Sequence, residues 1–93
     1  MNIENIISRL SPLLPVTEAR ISACSHAVEQ PNLTREHLGD PAFGSALRER
    51  NEWIEANCLG DYVGGAVRSG GVITGRVYRF SDWRDAFGFR MRF

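Results

Sequence analysis

Two cysteines and two histidines are the residues of this 93-residue chain best suited to metal or nucleophilic chemistry. Cys24 and His26 stand two apart, which on a helix places them on nearly opposite sides. His37 and Cys58 stand alone, with no CxxC or HxxxH spacing beside them. A zinc site would need all four to converge from three separate segments. A nucleophilic thiol would need an adjacent imidazole oriented by a third group, and no local sequence supplies one. The expectation is two buried thiols, two surface histidines, no metal and no cofactor.

Phosphate chemistry fares no better. Gly65-Ala66-Val67-Arg68-Ser69-Gly70 has the outer glycines of a phosphate-binding loop, but Gly71 and Val72 follow where Lys and Ser or Thr are required. Asp61, Asp82 and Asp85 read as turn residues rather than as an acid–base pair. A non-enzymatic chain is therefore expected.

What remains is arginine and tyrosine. The chain carries no net charge, so it lacks the overall basic signature of a nucleic-acid binder. Its charge is unevenly spread: residues 1–61 hold nine acids and five arginines, residues 62–93 two acids and six arginines. Every cation is arginine, which makes planar, bidentate contacts with carboxylate or phosphate. Tyr62, Arg68, Arg76, Tyr78, Arg90 and Arg92 form the candidate contact set, because Tyr and Arg are enriched at binding hot spots.

These residues must be positioned by a sheet. Tyr62–Arg68 and Val72–Phe80 are rich in β-branched and aromatic residues and flank Ser69-Gly70-Gly71, a hairpin turn by composition. Phe87, Phe89, Met91 and Phe93 alternate with Gly88, Arg90 and Arg92, a period of two that predicts a third strand. Ile73, Gly75, Val77, Val63, Gly65 and Val67 are expected on the inner face, with a helix lying across the glycines. The outer face then carries the Arg and Tyr set.

The helices are expected upstream. Ile3, Ile6, Ile7, Leu10 and Leu14 recur at helical spacing, and Pro12 closes a first helix over Ile3–Leu10. Thr17–Glu29 fits a helix with a small-residue face, although Ala19, Ile21 and Ala23 also alternate as a strand would. Leu33–Leu38 suits a short helical turn. Asp40, Pro41 and Gly60 bracket the clearest helix, Pro41–Asn57, with Phe43, Leu47, Ile54 and Cys58 on one stripe. The fold class is thus α+β: two to three N-terminal helices in residues 1–60, then a three-stranded antiparallel β-meander in 61–93, as a single domain.

The run Phe80-Ser81-Asp82-Trp83-Arg84-Asp85-Ala86-Phe87-Gly88-Phe89 resembles the strand-to-helix junction of pterin-4a-carbinolamine dehydratases. The resemblance covers ten residues and implies a helix over Asp82–Phe93 capped by Ser81. That family's paired catalytic histidines lie downstream of the junction, so no active residue carries over. Phe87-Gly88-Phe89 is similar to the aromatic strand of RNA-recognition motifs, but Arg90 and Arg92 break the match and the βαββαβ order is absent. The alternation is the reading adopted for 87–93.

Composition is that of an ordinary globular protein, 43% hydrophobic and 24% charged. The first residues lack the basic start and apolar run of a signal peptide, and no segment is long and apolar enough to span a membrane. A cytoplasmic protein-binding module, monomer or homodimer, is expected. Its partner would offer an acidic or nucleic-acid-binding surface to be occluded. Phage and mobile-element proteins that block host machinery, anti-CRISPR inhibitors included, are similar in scale, an analogy rather than a derivation. The alternative is a nucleic-acid-binding domain of winged-helix type, with the Arg68–Val72 turn as wing. Glu49, Glu52 and Glu55 on the would-be reading helix oppose it.

Overall fold

A computed structural model describes residues 18–93, with side chains from Ile21 onward. The helix expected over Ile3–Leu10 lies outside the described residues. The order is α1 (Glu18–Ala23), β1 (His26–Pro31), α2 (Arg35–Leu38), α3 (Asp40–Asn57), β2 (Tyr62–Ser69), β3 (Val72–Phe80) and α4 (Trp83–Arg92). The fold is α+β, with a three-stranded antiparallel sheet ordered β1-β3-β2.

The hairpin forms where the sequence places it. Gly70 and Gly71 adopt φ of 60° and 81°, the paired positive angles that a two-residue turn between twisted strands requires. The third strand does not come from 87–93. It is β1, drawn from the Thr17–Glu29 segment read as helical, which is helix only to Ala23 and strand from His26. Asn32, at φ 67°, turns the chain out of the strand, and its amide donates to the Thr74 carbonyl at 2.9 Å. The sheet is therefore not a meander, because its central strand joins one edge strand by a hairpin and the other through two helices and β2.

The last segment is a helix because two helical stripes interleave. Phe89 and Phe93 stand four apart and face the core, while Phe87 and Met91 stand four apart and face outward. Offset by two residues, the stripes mimic the alternation of a strand. Asp82 supplies the helix start, accepting from the Arg84 amide at 2.9 Å. The cap is Asp82 rather than Ser81, whose hydroxyl instead accepts from the Asp61 amide at 2.9 Å.

Helix α3 opens at Gly39, with φ of 86° and proline in the first turn, and closes at Cys58. Its inner stripe is the expected one: Ile54 is fully buried, with Phe43, Ala46, Leu47, Trp53 and Cys58 packed against the core. At the centre sits Phe89, whose ring lies 4.8 Å from Tyr78, 5.3 Å from Phe80, 5.9 Å from Trp53 and 4.9 Å from Phe93.

The two sheet faces are the reverse of those expected. Residues paired across strands share a face, so Tyr62, Gly64 and Ala66 lie with Phe80, Tyr78 and Arg76, and with Val28 and Gln30 of β1. This is the face that meets α3 and α4, since Val28, Tyr78 and Phe80 belong to the core with Ile54, Ala86 and Phe89. The Val63, Val77 and Arg79 side meets α1, where Ile21 shares a small hollow with them. Among the described residues no helix lies across Gly65, and none comes within 4 Å of where a side chain there would begin. Gly75 is crowded instead by β1, because a Cβ there would come 2.5 Å from the Gln30 carbonyl oxygen.

Candidate docking surface

Helix α4 is built as a two-sided element. Its inner side carries Asp85, Ala86 and Phe89, all buried, with Phe93 half-buried beyond them. Asp85 is a buried acid with specific partners. Its carboxylate accepts from the Leu59 amide at 2.9 and 3.0 Å and from the Gly60 amide at 2.9 Å. Two backbone donors in the turn after α3 are thereby satisfied by a side chain of α4. Gly88 permits the remaining approach: a Cβ there would lie 3.2 Å from the Trp53 ring.

The outer side carries Trp83, Phe87 and Met91, spaced four residues apart and exposed at 62%, 58% and 70%. A 100° turn per residue sets Arg84 on one flank of this ridge and Arg90 on the other. Arg84 is committed to Asp82, donating from Nε at 3.1 Å and Nη2 at 2.8 Å. Those guanidinium hydrogen bonds, followed by that of the Arg84 amide, hold the Asp82 carboxyl below its ordinary value and raise the Arg84 guanidinium in turn. Arg92 pairs with Glu49 of α3 at 2.8 Å. Among the described residues no carboxylate forms an ion pair with Arg90.

The six residues do not form one outer Arg and Tyr face: Tyr62, Arg76 and Tyr78 share the side of the sheet that meets the core, and Arg68, Arg90 and Arg92 lie elsewhere. Tyr78 is 3% exposed, in the core, and its hydroxyl has no hydrogen-bond partner among the described residues. Arg76 is half-buried beside it, its guanidinium carbon 5.8 Å from the Tyr78 ring centre. Tyr62 is half-buried and donates its hydroxyl to Glu55 at 2.8 Å. Arg68 is exposed, but the register shift between Val67 and Arg68 aligns it with Ile73, opposite the Arg76 side of the sheet. Arg90 and Arg92 are exposed on α4, not on a strand. The strand reading of 87–93 set Phe87 and Met91 on a buried face, although Trp83, Phe87 and Met91 also suit a helical stripe. The spacing of four among the three is the signal for that stripe.

No group of three His, Cys, Asp or Glu residues among those described could hold a metal. Cys24 is buried and Cys58 half-buried, neither in a disulfide. His26 and His37 are exposed. No helix among the described residues is long and apolar enough to cross a membrane. No family model, no curated protein and no solved structure matches this chain.

Proposed function

We propose that this chain is a non-enzymatic protein-binding module that docks through the outer ridge of α4. The observation that carries the reading is the exposure of Trp83, Phe87 and Met91 on a helix whose opposite side is locked into the core. Three large apolar side chains on one ridge form the kind of contiguous patch that marks an interaction site on a small protein. Aromatic residues and methionine are also enriched in interface cores. The rigid mounting of α4 favours binding, because little order is lost when a partner arrives.

Occlusion follows naturally from such a design, since a small fold with one adhesive face can cover a partner's working surface. Inhibitors of host machinery carried by phages and mobile elements, anti-CRISPR proteins among them, are the proposed setting. Arg68, exposed beside the hairpin turn, is the basis for a nucleic-acid reading, but the exposed Glu49, Glu52 and Glu55 of α3 oppose phosphate.

Affinity capture from cell lysate tests the reading. The chain is compared with a Trp83→Ser/Phe87→Ser/Met91→Ser variant and an Arg68→Ala/Arg76→Ala variant, each checked for fold by circular dichroism. The ridge variant should lose a retained protein that the arginine variant keeps. Retention that ignores the ridge would overturn the proposal.

A further inference from the structure

We infer that the partner presents an amphipathic helix whose apolar ridge is bordered by carboxylates; this rests on the docking reading above. The α4 ridge from Trp83 to Met91 is about 12 Å long at the helical rise. It is convex, so its natural complement is another helix packed ridge into groove. The surrounding charge selects the chemistry. Asp85, the acid inside α4, faces inward to the Leu59 and Gly60 amides and leaves the outer side without a carboxylate of its own. Arg90 flanks the ridge with no ion pair among the described residues, and a guanidinium in that state favours a bidentate carboxylate.

Two other occupants fit less well. A second copy docked α4 to α4 in antiparallel fashion would bring the Arg90 flanks of the two copies together, placing two guanidinium groups without ion pairs among the described residues on the same side of the contact, where they repel. An anionic membrane gains from several unpaired cations around an apolar face. Here Asp82 neutralises Arg84 and Glu49 neutralises Arg92. The three side chains offer on the order of 300–400 Å² of apolar surface. That is a small contact, suited to affinities on the order of micromolar.

The test uses a synthetic helical peptide with leucines along one ridge and glutamates on both flanks. A second peptide carries lysine in place of each glutamate. Vesicles of phosphatidylserine and phosphatidylcholine form a third probe. Fluorescence anisotropy should show the glutamate peptide binding at least about tenfold tighter than the lysine peptide, with affinity falling as salt rises. Phe87→Ala should weaken it by about tenfold or more, and Arg90→Ala by several-fold. Equal affinity for the two peptides, or indifference to Arg90→Ala, overturns the inference. So does vesicle co-sedimentation in preference to peptide binding, or a light-scattering mass of two chains that Phe87→Ala halves. Ridge-dependent capture from lysate without selectivity for the glutamate peptide would sink the acidic helix alone and leave the docking reading standing.

Discussion

The carboxylate of Asp85 brings both its oxygens within 3.0 Å of the Leu59 amide, joining the first turn of α4 to the turn that follows α3. The second oxygen also takes the Gly60 amide, so one buried side chain fixes where α4 sits relative to β2. The outer ridge of α4 can face outward because this attachment, together with Phe89, determines which side faces in.

Asp85→Ala leaves the Leu59 and Gly60 amides without that acceptor. The expected loss is roughly 1–3 kcal/mol. Asp85→Asn keeps one oxygen and should recover part of it. Urea unfolding of the three proteins checks the order.

Gly75 and Gly65 sit on neighbouring strands of the same sheet but meet different surroundings. A methyl at Gly75 meets the Gln30 carbonyl and the Pro31 backbone, so Gly75→Ala should cost about 1–3 kcal/mol. A methyl at Gly65 meets nothing among the described residues, and the less flexible unfolded chain of Gly65→Ala should make it neutral to stabilising by roughly 0.4–1 kcal/mol. Thermal melts of both variants decide the point.

Acid should loosen the start of α4. The Asp82 carboxyl titrates below its ordinary value of 3.8 because Arg84 hydrogen-bonds its charged form. A folded-state value lowered in this way stabilises fully above the unfolded value, and the benefit disappears as pH falls through the folded value. In Asp82→Asn that part of the slope should vanish. Melting temperatures followed from about pH 6 down to about pH 2 should converge for the two proteins at the acid end.

Tyr78→Phe removes a buried hydroxyl that has no partner among the described residues. Taking away an unsatisfied polar atom while keeping the ring should leave stability unchanged or raise it. A calorimetric melt measures this, and lysate capture should be unaffected because Tyr78 lies beneath the surface.

The hairpin and α3 were legible because their signals are local: Gly70-Gly71 for the turn, Pro41 and the Phe43–Cys58 stripe for the helix. The end of the chain misled because two stripes of period four, Phe89 with Phe93 and Phe87 with Met91, superpose into a period of two. The Asp82 cap, and Trp83 standing four residues before Phe87, break the tie. The sheet faces were misjudged for a different reason. Both carry apolar residues, and which one the larger helices choose is decided by long-range contacts, above all the fit of Phe89 between Tyr78 and Phe80. The pairing of β1 with β3 joins residues about fifty apart in sequence, and no local pattern announces it. The expected Arg and Tyr face was lost with those assignments, while Arg90 kept an exposed place beside the ridge.

Phe87→Ala and Phe89→Ala, two residues apart on one helix, give the most direct test of the account. Phe89→Ala should cost about 3–5 kcal/mol and lower the melting temperature by more than about 10 °C, because it empties the centre of the core. Phe87→Ala should melt like the parent and yet lose the captured partner. A Phe87→Ala protein that unfolds like Phe89→Ala, or one that melts normally and binds normally, would contradict the claim that the outer ridge of α4 is the working face.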